Sequence, residues 1–214
     1  YLISLKGFNE FFGNLLIERR ANPTEDIISD VATAEVNDEE LNDAEMLSML
    51  QQFLVAGNET TTKLLTNLIH RLAVDSELED KLRSNPDLID NFIEEGLRYE
   101  APVGGLFRMA KEDTQVNDIE IKAGDHLWVI YAAANRDPAI FDNPDDFLVD
   151  RENAREHLAF GHGEHYCIGA LLARKEARIA IQLLLANIEN IQLVEDKNKY
   201  EYEESFVLRG LKEL

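Results

Sequence analysis

The stretch Phe160-Gly161-His162-Gly163-Glu164-His165-Tyr166-Cys167-Ile168-Gly169 holds the only cysteine in 214 residues, and its composition is that of a ligand loop. Glycines at 161, 163 and 169 let backbone N–H groups approach the sulfur and let a large flat group lie against the chain. Ala170 to Arg178 reads as the opening of a helix. Unpaired N–H groups and the helix dipole at that end favour negative charge, so a thiolate is easier to hold there. A thiolate cradled in this way is a metal ligand or a nucleophile. Two other readings of the same residues stand beside it. A lone cysteine is commonly a small buried hydrophobe. His157, His162, His165 and Cys167 also fall within one short stretch that would suit zinc.

Two further places carry chemistry-bearing residues at notable spacing. Ala56-Gly57-Asn58-Glu59-Thr60-Thr61-Thr62 puts a glycine and three β-branched hydroxyl residues inside a helical pattern. These are poor helix formers, costing roughly 0.5–1 kcal/mol each relative to alanine. A threonine there can also bond back to the carbonyl four residues earlier and bend the helix. A local rule broken in mid-helix marks either a plain kink or a functional site. Glu95 and Arg98 stand at i, i+3 on one helix face, where an exposed pair contributes only about 0.2–0.5 kcal/mol.

The elements that must position these groups follow from periodicity. Phe8, Phe11, Phe12, Leu15 and Leu16 repeat with helical period, and Asn22-Pro23 ends that helix. Thr24 is placed to cap a second, through Ile27, Ile28 and Val31. Ala34 to Glu40 is acidic and polar, which predicts a solvated loop. Asn42-Asp43-Ala44-Glu45 has the form of a capping box. It opens the longest helix, apolar around much of its circumference through Leu72, which predicts burial along its length. Ser76 to Arg83 is a short charged helix. Pro86 opens the next, which stops before Pro102. Val116–Ile121 and His126–Ile130 alternate as strands, split by Ala123-Gly124-Asp125. Tyr131 to Pro138 reads as a short helix and turn, Phe141 to Arg151 as a meander, and Ala170 to Asn187 as a helix.

Taken together, these stretches resemble the cytochrome P450 family. Phe-x-x-Gly-x-His-x-Cys-x-Gly-x-x-Leu-Ala, filled by Phe160, Gly163, His165, Cys167, Gly169, Leu172 and Ala173, is similar to that family's haem-binding loop. The resemblance implies that Cys167 is the axial thiolate to the iron of haem b. It implies that Phe160, Gly161, Gly163 and Gly169 lie against the cofactor and that His165 points at a propionate. A thiolate pushes electron density onto iron and favours O–O cleavage. Ala56-Gly57-x-Glu59-Thr60 looks like the family's oxygen-binding kink, which implies that Ala56 and Gly57 border the haem and that Glu59 and Thr60 deliver protons to dioxygen. Glu95-x-x-Arg98 matches the family's buried structural pair near the thiolate side. Arg108 matches a propionate-binding position. Val55, Val103, Leu106 and Val207 would line an apolar substrate pocket, with Phe206-Val207-Leu208-Arg209-Gly210 as the last strand and turn. One departure is visible: many family members carry an arginine just before the phenylalanine of the meander, where this chain has Asp146 before Phe147. Either Arg151 or another group substitutes, or Glu95 and Arg98 form a pair alone.

The fold class implied is mainly α with small β-sheets, residues 1–214 being the C-terminal portion of a single haem-binding domain whose N-terminal portion is missing. The implied activity is monooxygenation of a small apolar organic substrate with dioxygen and electrons from a partner such as a ferredoxin. Arg174, Lys175 and Arg178 could form a basic patch facing an acidic partner, or be solvated charges on a helix face. Two alternatives stand: a peroxide-using haem-thiolate enzyme, and a non-catalytic metal- or haem-binding module with Cys167 and nearby histidines as ligands.

Composition sets the outer limits. Hydrophobic residues make up 45% and charged residues 29% of the chain, a globular balance. Lys and Arg number 21 against 42 Asp and Glu, for a net charge of −21, which disfavours nucleic acid and anionic membrane as partners. No stretch is long and apolar enough to span a bilayer. A single cysteine excludes an internal disulfide and fits a reducing compartment, so a cytoplasmic setting is expected. There is no signal peptide pattern, and the chain opens mid-pattern without an initiator methionine, as a truncated chain would.

Overall fold

The computed structural model describes residues 2–36, 39–194 and 201–212. Its contacts divide the chain into two compact units, Tyr1–Glu59 and Thr60–Leu214.

The first unit contains α1 (Leu2–Ala21), α2 (Ile27–Ala32), the short strands β1 (Glu35–Val36) and β2 (Glu39–Glu40), and the first part of α3 (Asp43–Val74). Leu16, Val31, Ala32, Met46 and Leu50 form its core. The cap of α2 is Asp26 and not Thr24: Asp26 Oδ1 accepts the Ser29 N–H at 2.8 Å, while the Thr24 hydroxyl donates to the same carboxylate. A carboxylate is the stronger acceptor at a helix N-terminus, which decides between the two. The expected loop of Ala34 to Glu40 carries the antiparallel pairs Glu35↔Glu40 and Val36↔Glu39, residues 37 and 38 lying outside the described residues. The opening of α3 is a reciprocal capping box. Asn42 Oδ1 accepts from the N–H groups of Ala44 and Glu45, and Glu45 Oε2 accepts from that of Asn42 at 2.9 Å.

Helix α3 is α-helical throughout, including Ala56–Thr62. The unfavourable propensities of a few residues do not interrupt a helix of 32 residues anchored by apolar contacts at both ends. It gives Met46 and Leu50 to the first core and Leu64, Leu68 and Leu72 to the second. Burial along its whole length does not hold, because residues 54–59 are exposed on their own unit.

The second unit adds α4 (Ser76–Ser84), α5 (Ile89–Tyr99), β3 (Leu106–Met109), β4 (Thr114–Val116), β5 (Ile119–Ile121), β6 (His126–Val129), α6 (Tyr131–Ala134) and α7 (Ala170–Asn187). Asp75 caps α4 through the Leu78 N–H at 3.0 Å, and a 3-10 turn, Pro86–Leu88, leads into α5. Helix α5 is the centre of this unit. Phe92, Ile93 and Leu97 on it join Leu64, Leu68 and Leu72 of α3 and Ala177 and Ile181 of α7 in one core. The approach of α5 to α3 depends on Gly96, where an added Cβ would fall 2.4 Å from Leu68 Cδ2. Leu68 is itself fully enclosed. Gly96→Ala is therefore expected to destabilise by roughly 1–3 kcal/mol through overpacking, despite its better helix propensity. Thermal unfolding checks this: a midpoint at or above wild type would show that Leu68 repacks freely.

The strands differ from the expected pattern. Val116–Ile121 is not one strand but the end of β4, a turn at Asn117 and Asp118, and all of β5, with Thr114↔Ile121 and Val116↔Ile119 as partners. Asn117 takes φ 50° there, a left-handed conformation that asparagine tolerates. Strand β6 pairs with β3, Leu106↔Val129 through Met109↔His126. The segment 206–210 is not a strand; Leu208 makes an isolated bridge to Val103.

Candidate functional site

Cys167 is the free, exposed thiol of a loop held at both ends. Its N–H donates to the Phe160 carbonyl at 2.9 Å, and its carbonyl accepts the Ala170 N–H at 3.2 Å, where α7 begins. Gly161 and Gly163 both take φ 73°, a region that side chains with a Cβ resist. The loop turns twice there and brings Cys167 back against Phe160. His165 ends a 3-10 turn, Gly163–His165, and is exposed. The thiol therefore sits at the N-terminal end of α7, the end that favours an anion.

What surrounds the thiol matches the needs of a large flat apolar group. Ile168 and Leu171, on either side of the α7 N-cap Gly169, are 84% and 82% exposed, and Leu172 is exposed too. A soluble surface seldom leaves such a patch beside a polar loop without a function. Gly169 lies beside the sulfur, where an added Cβ would make ordinary contact with Sγ at 3.8 Å. One soft sulfur donor, glycines around it and an apolar floor suit haem. They do not suit tetrahedral zinc. Among the described residues no group of three or more His, Cys, Asp or Glu side chains is arranged to hold a metal ion. His157, a member of the zinc reading, is buried and engaged elsewhere: its Nε2 faces Glu94 at 3.1 Å and its Nδ1 accepts the Ala159 N–H.

Behind the loop lies a buried ionic cluster. Both Glu95 oxygens accept from Arg98, at 2.7 and 2.8 Å, and both also accept from Arg151 Nε at 3.1 Å. The Leu148 N–H adds a fifth bond to Glu95. The side chains of Glu95 and Arg98 are wholly buried, and that of Arg151 nearly so. Arg98 continues to the carbonyls of Asn135, Pro144 and Asp146, and Arg151 to those of Asp142, Asn143 and Asp146. A meander with little regular structure is thus held by its carbonyls on two guanidinium groups. Asp146 contributes its carbonyl while its side chain is exposed, and Arg151 is the second arginine. Asn135 ties this cluster to the thiol loop: its carbonyl accepts from Arg98, and its Oδ1 accepts from the Leu158 N–H.

A second buried carboxylate, on the adjacent Glu94, was not foreseen. Burial pushes its acidity toward the neutral form, but hydrogen bonds from His157 and Arg174, with the charge of Arg174, outweigh this and hold it at about 2, against an ordinary 4.5. Because the folded value is depressed, the stabilisation is full above about pH 4.5 and is lost as pH falls toward 2. Urea midpoints measured between about pH 6 and pH 3 are expected to fall more steeply for wild type than for Glu94→Gln. Equal slopes would remove Glu94 from the acid response.

The remaining candidates are spread over the unit. Arg108 on β3 donates to the Phe107 carbonyl at 2.9 Å, and among the described residues no hydrogen bond or ion pair joins it to the Cys167 loop. Val103 and Val207 come together, with Gly104 N–H donating to the Val207 carbonyl and the Gly104 carbonyl accepting the Ala132 N–H on α6. Leu106 is partly exposed beside them on β3. An exposed aromatic group went unnoticed in the sequence: Phe107 stacks on its cross-strand partner Trp128, and Phe206 meets Trp128 edge-on. Strand pairing, which local sequence does not display, creates it. Thr60 is half-buried, and Val55, Ala56, Gly57 and Glu59 are exposed on the first unit. A cavity of about 290 Å³ lies elsewhere, lined by Asn67, His70, Arg71, Tyr99, Arg136 and Arg209. Its lining is mixed, with Leu68, Val74 and Phe147 beside these polar groups, and it contains none of the expected substrate contacts. The basic patch expected on α7 is partly spent, since Arg174 is bound to Glu94 and Arg178 to Asp90.

A family model, Cytochrome P450, matches residues 4–212. The chain belongs to the cytochrome P450 family. Among relatives of this P450 chain, a cytochrome P450 of Bacillus subtilis (strain 168) is 41% identical over 208 residues, covering 97% of this chain and 50% of the relative. The biotin biosynthesis cytochrome P450 of the same strain is 39% identical, covering 95% and 51%. The crystal structure of CYP109E1 from Bacillus megaterium in complex with testosterone superposes with a TM-score of 0.94 at 35% identity, covering all of this chain and 59% of that one. The P450 chain thus spans about half the length of the curated relatives it matches. Its mainly helical architecture with small sheets is that of the family. Among the described residues no helix is long and apolar enough to cross a membrane.

Proposed function

We propose that this chain is the thiolate-bearing portion of a monooxygenase that holds haem b on Cys167 and oxidises a small apolar molecule. The observation that carries the proposal is the exposed thiol at the α7 N-terminus, set among glycines and flanked by Ile168 and Leu171, in a chain of this family. The bound haem supplies the redox chemistry by which one atom of dioxygen enters the substrate. The protein supplies the rest. Cys167 would hold the haem iron through its sulfur, at the helix end that favours negative charge. Arg108 and His165 hold the carboxylate edge of the cofactor. Phe160, Gly161, Gly163 and Gly169 permit its close approach, with Ala56 and Gly57 on the long helix. Thr60 and Glu59 pass protons toward the reacting oxygen. Val55, Val103, Leu106 and Val207 exclude water and hold the substrate by apolar contact. Electrons come from a separate carrier such as a ferredoxin, in the cytoplasm. The acid–hydroxyl pair at Glu59 and Thr60 favours dioxygen with a reductase over peroxide as oxidant. A related structure holds testosterone, which supports an apolar substrate.

The test is an optical spectrum of the full-length protein, supplied with haem, reduced and exposed to carbon monoxide. A strongly red-shifted Soret band that is lost in Cys167→Ser is expected. A band unchanged in that variant overturns Cys167 as ligand. For the proton role, Thr60→Ala is expected to keep haem but divert reducing equivalents to peroxide. Unchanged coupling of reductant to product would reject it.

A further inference from the structure

We infer that Glu94 is a positioning residue for the Cys167 loop, fastening both of its ends to α5 through one buried carboxylate. The inference deepens the proposed function, and its spectroscopic part rests on Cys167 being the haem ligand.

Glu94 Oε1 accepts from Arg174 Nε at 2.7 Å, and Oε2 accepts from Arg174 Nη2 at 3.0 Å. Oε2 also meets His157 Nε2 at 3.1 Å. The proton of His157 is assigned by its other nitrogen. Nδ1 accepts the Ala159 N–H at 3.1 Å, so Nε2 carries hydrogen and donates to Glu94. His157 stands just before the loop, and Arg174 stands one turn into the helix that follows it. A single side chain on α5 therefore grips the entry and the exit.

Arg174 carries the restraint inward. Its Nη1 donates to the Tyr166 hydroxyl at 3.3 Å, and its guanidinium lies 4.6 Å from the centre of the Phe160 ring. Tyr166 precedes Cys167, and Phe160 supplies the carbonyl that the Cys167 N–H binds. The neighbouring carboxylate behaves differently. Glu95 bonds Arg98, Arg151 and the Leu148 N–H, which hold the meander. Adjacent residues point to separate tasks, and those of Glu94 converge on the thiol loop. Arg155, the remaining charged neighbour, is exposed and 3.5 Å away. Losing the Glu94 charge would leave the half-buried Arg174 without its bidentate partner and free it to leave Phe160 and Tyr166.

The experiment is amide hydrogen exchange on the full-length protein, wild type against Glu94→Gln. Exchange across residues 158–173 is expected to accelerate at least tenfold, with residues 64–82 unchanged. Unaltered loop exchange, or equal acceleration in both segments, overturns the inference. If Glu94→Gln does not fold, Arg174→Lys, which keeps the charge but loses the fork, is expected to loosen the same loop. An unaltered loop in that variant overturns it equally. With haem and carbon monoxide, Glu94→Gln is expected to split the single red-shifted band into thiolate-type and thiol-type components. A single wild-type band overturns the positioning role. Retention of the red-shifted band in Cys167→Ser would instead defeat the ligand assignment, leaving the exchange result to stand alone.

Discussion

Glu95→Ala is expected to leave the protein without haem and at the edge of unfolding. The variant removes the centre of a cluster in which two buried guanidinium groups share one carboxylate. An exposed pair at the same spacing would contribute under about 0.5 kcal/mol. Here the comparison is with breaking a buried pair, which costs about 3–5 kcal/mol because a charge is left uncompensated. Two cations would be left, and the Leu148 N–H would lose its acceptor as well. Against a typical domain stability of about 5–15 kcal/mol, that loss is decisive. The meander would come away from α5, and with it Asn135, whose Oδ1 holds the Leu158 N–H at the entry to the thiol loop. Haem content per polypeptide after purification, with circular dichroism on heating, measures the outcome. A variant that loads haem normally and melts near wild type would show that the cluster is dispensable.

The cluster also shows where sequence reasoning succeeds and where it stops. Local devices were legible. The box at Asn42 and Glu45 needs only neighbours three residues apart, and the thiol loop was legible as a family-like motif only together with the other stretches. The Glu95–Arg98 spacing was visible too, but not its burial, which comes from meander carbonyls about 40 to 50 residues further on. Glu94 was missed for the same reason: its partners His157 and Arg174 lie 63 and 80 residues away. Alternation misled at Val116–Ile121, because period-2 patterning runs straight through a turn when asparagine supplies the left-handed residue. Apolar periodicity in α3 foretold burial, which holds where the helix meets the two cores and not over the exposed stretch between them. A circumference of apolar residues signals burial only if enough neighbouring elements are present to cover it.

Arg151→Met provides the complementary expectation, a large loss of stability that stops short of collapse. Arg151 sits in the cluster as its second cation, with Nε on Glu95 and both Nη groups on meander carbonyls. Its removal leaves Glu95 and Arg98 as a balanced bidentate pair, so no buried charge is stranded. What is lost is a set of charge-assisted hydrogen bonds, with the Asp142 and Asn143 carbonyls left to find water. Methionine fills much of the vacated volume. A loss of about 3 kcal/mol is expected, a fall in melting temperature of roughly 6–12 °C for a domain of this size. The deficit should be smaller than that of Glu95→Ala. The ordering is the informative part: equal losses would mean that charge balance does not govern the cluster. Adding Asp146→Arg to this variant tests whether an arginine before Phe147 can take over. The Asp146 carbonyl, not its side chain, faces Arg98 and Arg151, and the side chain is exposed. A new guanidinium at that position would begin on the solvent side of the meander, so no recovery of the melting temperature is expected. Recovery to within a few degrees would mean that the meander can re-route its backbone to offer either arginine to Glu95.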